Sequence, residues 1–300
     1  MSPSRLRFHF LTGTMVLIWC GNFIDLKVCL RFLSPFGVTT FRVVASALIL
    51  LVIYLFWGGR QARRKLRKQD ISYFLKLAFV GLLVNQTMFV IGLSQTTVAH
   101  SAIIVTFGPV FTLLFAWMRG QERLTTLTIV GMVISIIGVA LLNLEKDFTF
   151  QTHHLLGDLL TLGGSIAFAY YTVISKNAAS VYGALNSTVF TYFAGACLFL
   201  PLGLPLILRA HWLSFSWAGY ASFFYVAALS SVVAQLIFYY ALRRISASRL
   251  ASLSYLQPVI TTIASVVLLS ERPTLNFVVG GGVVIGGMVL THRRVSKQKP

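Results

Sequence analysis

The chain has 300 residues, of which 57% are hydrophobic and only 11% are charged, and its mean hydropathy is +0.81. Because average soluble domains are about 45–50% apolar and about 25% charged, this chain has too few charged side chains to cover a water-exposed surface. Disordered proteins, disulfide-stapled secreted modules and cytosolic enzymes are therefore excluded. The composition predicts an all-α integral membrane protein.

Apolar stretches long enough to cross a bilayer follow one another along the whole chain, since a spanning helix needs roughly 20 such residues. The segments between them are short and carry glycine, proline or charge, so none has room for a soluble domain. The first stretch is longer than the apolar core of a signal peptide, and we expect it to remain as a helix. The ten predicted spans are 8–30, 36–57, 73–93, 98–118, 125–144, 156–176, 187–208, 217–241, 247–269 and 274–291.

The net charge of +18 is distributed very unevenly between the two sides of the predicted bundle. With the amino terminus inside, the inside segments hold 18 Lys and Arg residues and the outside segments hold 4. Positive residues accumulate in cytoplasmic loops, so we expect a multi-pass protein of the inner (plasma) membrane with both termini in the cytoplasm. The densest basic run, 60–68, is typical of an anchor on anionic lipid headgroups rather than of a nucleic-acid site.

A shift of 149 residues superimposes the second half of the sequence on the first without a gap. Between residues 93 and 141, 13 of 49 pairs are identical, among them Pro109 with Pro258 and Glu122 with Glu271. The predicted repeats are 8–144 and 156–291, each with five helices. Because five is odd, the second copy must lie inverted in the bilayer. Inverted halves are the basis of alternating access in many secondary transporters, which bind substrate near the midplane between the repeats.

Each half resembles an EamA-type repeat of the drug/metabolite transporter superfamily. The resemblance rests on Trp19-Cys20-Gly21-Asn22-Phe23 followed by Lys27, on Phe41-Arg42, on Gly108-Pro109, and on the second-half residues Lys176, Pro258, Glu271, Gly280 and Gly287. The second half departs from the pattern at Phe168-Ala169-Tyr170-Tyr171, where a Trp-Gly segment is expected. The resemblance implies a ten-helix inner-membrane carrier, usually an exporter of amino acids or other small metabolites, with a small-molecule substrate.

Polar residues within predicted spans are the candidates for a transport pathway, because polar groups in a bilayer are costly and tend to be functional or paired. In the first span Trp19, Asn22 and Asp25 lie roughly on one helix face. Asp25 is the only acid well inside a span. It is either a proton-coupling carboxylate or the partner of Lys27 or Arg42 in an ion pair.

Gln86 and Gln235 occupy equivalent mid-span positions, and each amide can both donate and accept a hydrogen bond. They are predicted either to contact a zwitterionic substrate or to join neighbouring helices. Tyr171, Tyr239 and Tyr255 give the second half more aromatic-polar surface than the first. This surface suits a cavity for apolar or aromatic metabolites, whereas interface belts hold most membrane tyrosines.

Two prolines are predicted to interrupt spans and to free carbonyl groups about one turn earlier. Each is either a structural kink or part of the substrate site, and each has polar neighbours. The residues concerned are Pro109 with Thr106, and Pro258 with Ser254, Tyr255 and Gln257.

Four further charged residues have structural interpretations. Lys27 and Lys176 lie near helix ends, where a lysine can extend to the headgroups. Glu122 and Glu271 precede Thr125 and Thr274, which begin the following helices, and are expected to cap those helices.

The remaining sequence offers little other chemistry. Glycine runs 280–282 and 286–287 indicate close helix packing or a dimer face, so we expect a monomer or a weak homodimer. The three cysteines have no metal-ligand spacing, and His153-His154 with Asp158 would form only a weak outer-loop metal clip. No P-loop or hydrolase motif is present, and no cofactor and no enzyme activity are predicted. An integral-membrane enzyme and a passive channel remain the alternatives to a carrier.

Overall fold

The structure is a computed structural model that describes residues 3–57, 66–142, 155–260, 263 and 275–292. The described residues form helices and connections with no β-strand among them, as the composition predicts. In chain order the helices are α1 (Pro3–Cys29), α2 (Pro35–Trp57), α3 (Lys68–Gln95), α4 (Val98–Val105), α5 (Gly108–Met118), α6 (Thr126–Leu142), α7 (155–182), α8 (184–208), α9 (Trp217–Leu242), α10 (Ala247–Ala251) and α11 (Leu275–His292).

Six helices within the described residues are long and apolar enough to cross a membrane, and two shorter apolar helices accompany them. The shorter ones are Thr126–Leu141 and Val278–Thr291. Of the predicted span 247–269, only residues up to 260 and residue 263 are described. Most of the basic run 60–68 also lies outside the described residues, as do His153, His154 and Glu271.

Helices α7 and α8 form one continuous run, Leu155–Leu208, that changes direction at a single residue. The run has 54 residues, about 80 Å of helix, which is far more than the roughly 30 Å hydrocarbon core. Gly183 adopts φ 77° and ψ 179°, a conformation that is essentially restricted to glycine. The segment between the predicted spans 156–176 and 187–208 is therefore helical on both sides of Gly183, where the helix kinks.

Two long helices, α3 and α9, each contain a π-helical segment near the middle. These segments are Phe79–Val84 in α3 and Tyr225–Val233 in α9. In α9 the wider turn lets the Ser231 hydroxyl donate to the Val226 carbonyl at 2.7 Å. Such π segments inside α-helices often occur at functional sites, and Gly81 and Leu82 of the α3 segment line the cavity described below.

The predicted span 98–118 consists of two helices, α4 and α5, that meet at Thr106 and Phe107. Pro109 lies in the first turn of α5, where its missing N–H is not needed. Beside this break, the Ile103 carbonyl accepts from both the backbone N–H of Thr106 at 3.0 Å and its hydroxyl at 2.6 Å. The same irregularity occurs after α10, where Ser252–Tyr255 is a 3₁₀ turn ahead of Pro258.

Helices α6 and α11 cross at very short range because glycines lie at the contact. A Cβ atom on Gly131 would lie 2.7 Å from the Gly287 carbonyl oxygen, and one on Gly138 would lie 2.9 Å from that of Gly280. Between these two points the Ser135 hydroxyl is 3.4 Å from the Val284 carbonyl oxygen. The glycine runs therefore contribute close helix packing through two of their members.

Three charged side chains make contacts other than those predicted. Lys27 donates to the Thr96 carbonyl at 2.7 Å, and Lys176 donates to the carbonyls of Leu242 and Ile245. Both lysines thus bind the end of a neighbouring helix, where carbonyls are unpaired and a cation is favourable. They do not extend to the headgroups as expected.

Glu122 also differs from its prediction, since its carboxylate accepts hydrogen bonds from the backbone N–H and the hydroxyl of Ser248. It therefore caps α10, a helix in the other half of the chain. The following helix is capped instead by Thr125, whose hydroxyl accepts from the Thr128 N–H at 3.2 Å.

Candidate functional site: a central polar cavity

A cavity of about 140 Å³ lies at the centre of the bundle and is lined by side chains from both halves of the chain. A cavity of about 150 Å³ holds a benzene-sized molecule, so the space suits a small organic solute. The polar and charged lining residues are Asn22, Arg42, Asn85, Gln86, Thr112, Ser165, Thr172, Gln235, Ser254 and Gln257. Aromatic rings from Trp19, Phe23, Phe89, Phe168, Tyr171, Tyr192 and Phe238 cover much of the rest.

The first wall of the cavity is built around Arg42 of α2, whose side chain is 7% exposed. Its Nε donates to the Ser231 hydroxyl at 2.5 Å, and its Nη2 donates to the Ser230 hydroxyl at 3.2 Å. Ser230 in turn donates to Asn22 Oδ1 on α1 at 2.8 Å. Both serines belong to the π-helical segment of α9, so that segment positions the guanidinium against the first two helices.

The Arg42 guanidinium has no acidic partner in the described part of the chain. None of Asp25, Asp70, Glu122 and Asp158, the described acids, lines the cavity. Arginine remains protonated in proteins, so its charge must be balanced in some other way. Its Nη1 makes no hydrogen bond to a described residue, because the two contacts with serine use only Nε and Nη2.

The second wall is a closed hydrogen-bond network around Tyr171 and Tyr239. Their hydroxyls are 2.8 Å apart, and Gln235 Nε2 donates to the Tyr171 hydroxyl at 2.9 Å. Thr191 lies 3.2 Å from the Tyr239 hydroxyl and Ser175 lies 3.5 Å from it. Both tyrosines are fully buried, so this network joins α7, α8 and α9 in the interior of the bundle.

The two predicted glutamines have different environments although they lie 149 residues apart in the repeat. Gln235 is bound to Tyr171, whereas the buried Oε1 of Gln86 has no hydrogen-bond partner among the described residues. The Ser254 hydroxyl, which also lines the cavity, likewise lacks one. The cavity therefore offers an acceptor and a hydroxyl that the protein itself leaves unused.

Tyr171 fits into the second wall because residue 81 is a glycine. A Cβ atom on Gly81 would lie 2.2 Å from the Tyr171 ring. In the repeat, Tyr171 corresponds to Asn22 and Gly81 corresponds to Ser230. The pair Asn22–Ser230 on one wall is thus replaced by Tyr171–Gly81 on the other.

Aromatic rings close the cavity between the two walls. Trp19 and Phe168, which correspond in the repeat, pack edge to face with their ring centroids 5.8 Å apart. Phe238 lies 6.0 Å from Trp19 and 5.7 Å from Phe168. Such contacts give an apolar surface on which a hydrocarbon or aromatic group packs well.

The structure brings seven of the predicted pathway residues to the cavity surface. These are Trp19, Asn22, Gln86, Pro109, Tyr171, Gln235 and Gln257. Four others are buried behind the lining: Thr106, Tyr239, Tyr255 and Pro258.

Asp25 lies away from the cavity lining and is only half-buried, beside the Ser222 hydroxyl. Neither cation suggested as its partner binds it in the described structure, since Lys27 and Arg42 donate to the groups named above. The ion-pair alternative for Asp25 is therefore not what the structure shows. Asp158 accepts a 2.6 Å hydrogen bond from the Thr96 hydroxyl, and no metal-binding cluster occurs among the described residues.

Sequence reasoning considered Arg42 only as a possible ion-pair partner of Asp25 and missed it as a cavity residue. Its serine partners and Tyr192 were also missed, because each becomes relevant only through packing across the bundle. One signal was available: Arg42 is the seventh residue of the predicted span 36–57, and intramembrane charges are functional candidates.

A multi-pass helical bundle that encloses a polar cavity between two halves is the architecture of a membrane transporter. The model of the EamA-like transporter family matches residues 8–144 and again residues 155–293. The chain belongs to the EamA-like transporter family.

Several full-length relatives carry transporter names. An uncharacterized transporter of Archaeoglobus fulgidus is 28% identical over 94% of this chain and 96% of its own length. The uncharacterized transporter YdfC of Bacillus subtilis is 25% identical over 94% and 90%. A probable terminal-alkyne amino-acid exporter of Streptantibioticus cattleyicolor is 24% identical over 93% and 91%. A solved crystal structure at 18% identity has a TM-score of 0.76 and covers 95% of this chain and 96% of that one, which supports the same fold.

Proposed function

We propose that this membrane transporter is a secondary carrier that exports small metabolites such as amino acids by alternating access. The two halves, 8–144 and 156–291, are proposed to be inverted five-helix repeats that together make ten spans. The observation that carries the proposal is the central cavity, because its polar groups come from both halves and converge on a space of solute size. Export of amino acids also agrees with the name of one relative.

Contacts that recur with the 149-residue shift support the inverted arrangement. Lys27 binds the Thr96 carbonyl, and Lys176 binds that of Ile245, which is the corresponding pair. At the α6–α11 crossing, Gly131 meets Gly287 and Gly138 meets Gly280. Exchanging the two halves converts the first of these glycine pairs into the second, as a twofold axis through the crossing requires.

The distribution of positive charge supports both termini in the cytoplasm and a location in the inner (plasma) membrane. The glycines Gly282 and Gly286 have no atom within 4 Å of a built Cβ atom. This open face of α11 is compatible with a weak homodimer as well as with a monomer.

Counterflow in proteoliposomes tests the carrier proposal. A carrier exchanges external labelled solute for internal unlabelled solute, so uptake of label rises when the vesicles are preloaded. A passive channel shows no such trans-stimulation, and an integral-membrane enzyme releases a product of altered mass. Absence of exchange across a broad metabolite panel contradicts the proposal.

Asp25 is proposed to couple transport to protons, since it is a half-buried acid near the end of α1. We expect Asp25→Asn to abolish the effect of an imposed pH gradient on exchange while solute binding is retained, because the residue lies away from the cavity lining. An unchanged response to the gradient removes Asp25 from the mechanism.

A further inference from the structure

We propose that the central cavity binds its solute through a carboxylate group and that the Arg42 guanidinium holds this carboxylate. The inference rests on the transporter function proposed above and adds the residue that holds the solute and the group on the solute that it binds. It depends on four features of the cavity: an isolated buried charge, unused hydrogen-bond donors, an unused acceptor and an aromatic surface.

Arg42 is the only charged side chain among the described residues that line the cavity. It lies in a membrane-spanning helix and is 7% exposed, so it receives little stabilisation from bulk water. A buried charge without a counter-charge is strongly unfavourable, and the two serine hydroxyls are neutral. An anion that enters the cavity would supply the missing charge.

Two half-buried lysines of the bundle, Lys27 and Lys176, are stabilised in a different way. Lys27 and Lys176 each bind carbonyl oxygens at the end of a neighbouring helix, where the helix dipole places partial negative charge. Arg42 binds hydroxyls in the middle of α9 instead. The Ser230 hydroxyl in turn donates a hydrogen bond to Asn22 Oδ1. The arrangement fixes the guanidinium in position without neutralising it.

The guanidinium retains N–H groups from which a carboxylate can accept hydrogen bonds. Of its five N–H groups, those at Nη1 make no bond to a described residue. A planar carboxylate can accept from a guanidinium edge, and such charge-assisted hydrogen bonds are about twice as strong as neutral ones. Because Nε and Nη2 already bind serines, the free side of Arg42 suits one small anionic group.

The rest of the cavity indicates an organic carboxylate. The rings of Trp19, Phe168 and Phe238 provide an apolar surface, and the volume of about 140 Å³ matches a group of roughly benzene size. The unpaired Oε1 of Gln86 accepts a hydrogen bond from an amino or hydroxyl group on the same solute. Gln86 and Arg42 both lie beside the Tyr192 hydroxyl, so the two functions are close together.

A purely structural Arg42 would give a different specificity. If Arg42 only joined α2 to α9 through the two serines, acids and neutral analogues of equal size would bind with equal affinity. A carboxylate-binding Arg42 must discriminate between them, because the amide lacks the charge. Matched pairs of acids and primary amides therefore separate the two roles.

The test uses the purified full-length protein with phenylacetate and phenylacetamide, and with 4-methylpentanoate and its amide. Binding is measured by ligand-dependent thermal shift and transport by competition in counterflow. We expect each acid to bind the wild type about tenfold or more tightly than its amide, as expected for one charge-assisted contact. Arg42→Gln should remove this preference, and Arg119→Gln should retain it.

Arg119→Gln is the matched control because it removes the same charge from an exposed position outside the cavity lining, where the side chain donates a hydrogen bond to the Tyr170 hydroxyl. If Arg42→Gln does not give a monodisperse protein, Arg42→Lys replaces it. That variant keeps the charge but loses the fixed fork, so we expect a partial loss of preference.

Equal binding of acids and amides by the wild type overturns the inference, as does a preference that survives in a folded Arg42→Gln protein. Competition by inorganic phosphate as strong as that by the organic acids also overturns it, because the site then selects charge alone. The proposed function fails separately: acid-selective binding that is lost in Arg42→Gln, without any counterflow, keeps the inference and rejects the carrier. Counterflow without a preference for acids rejects the inference and keeps the carrier.

Discussion

The two walls of the cavity are built from corresponding positions of the repeat, yet their polar groups are used in opposite ways. On the second wall Tyr171, Gln235 and Tyr239 bind one another in a closed network. On the first wall Arg42 retains unused donors, and Gln86, which lies beside Tyr192 as Arg42 does, retains an unused acceptor. The polar groups of the second wall therefore bind one another, whereas those of the first wall are available to a ligand.

This difference shows how a duplicated scaffold can acquire one binding site. The helix packing stays similar in both halves, as the glycine contacts between α6 and α11 illustrate. At the cavity the two walls differ in the sizes of one pair of corresponding residues. The first wall has Asn22 and Ser230, and the second has Tyr171 and Gly81. The large tyrosine fills one side, and the small polar pair supports Arg42 on the other.

Reversing this difference in size gives the largest expected effect. Gly81→Ser places a side chain where the Tyr171 ring lies 2.2 Å from a built Cβ atom, so we expect a loss of about 1–3 kcal/mol of stability. Thermal unfolding in detergent measures it. Gly13→Ser is the control, because nothing lies within 4 Å of that position.

Combining Gly81→Ser with Tyr171→Asn tests whether the two positions are energetically coupled. In the Gly81→Ser background, Tyr171→Asn should cost at least about 1 kcal/mol less than in the wild type, because serine and asparagine then recreate the first-wall arrangement. Additive effects of the two substitutions would mean that Gly81 and Tyr171 are not coupled.

Opening the closed network should have a moderate effect. Tyr171→Phe removes the hydroxyl that joins Gln235 to Tyr239, which we expect to lower stability by about 1–2 kcal/mol. Tyr170→Phe, one residue earlier on α7, should change stability little, since its hydroxyl meets Arg119 at the exposed surface. Unfolding temperatures compare the two variants, and similar losses in both would contradict the assignment of the network to the second wall.

The corresponding glutamines give the smallest change in stability but the clearest contrast. Gln86→Leu removes an unpaired buried acceptor and should leave stability within about 0.5 kcal/mol, while solute binding weakens several-fold. Gln235→Leu should lower stability by about 1 kcal/mol and affect binding less, because Gln235 serves Tyr171. Thermal unfolding measures the stability of both variants, and ligand-dependent thermal shifts on the same samples measure solute binding. Equal changes in stability and binding for the two variants would remove the distinction between the walls.

The sequence predicts much of this fold because a membrane imposes simple rules on it. Long apolar stretches, the helix breaks near Pro109 and Pro258, and the repeat are all local or periodic signals. The kink at Gly183 lies between the predicted spans 156–176 and 187–208, and the sequence does not narrow its position further because the residues around it, Ala184 included, continue a helix equally well. Only the backbone conformation of that glycine shows where the chain turns.

The site was predicted less completely because its partners are distant in sequence. Seven pathway residues reach the cavity, but the role of Arg42 depends on Ser230 and Ser231, which lie nearly 190 residues away in a π-helical segment. The Glu122 contact with Ser248 is missed for the same reason. A sequence pattern identifies repeated positions, whereas the structure shows which of their polar groups have hydrogen-bond partners.

Cysteine accessibility at Ser254 tests the central claim, that one cavity between the two halves opens in turn to each side of the membrane. Ser254 lines the cavity, and cysteine is nearly isosteric with it. The variant Ser254→Cys is made after Cys20, Cys29 and Cys197 are replaced by alanine. A membrane-impermeant maleimide is then applied to right-side-out and to inverted vesicles that do not leak a trapped dye. Alternating access predicts labelling from both sides, and labelling from one side only, in the presence and absence of exchanged solute, would contradict it.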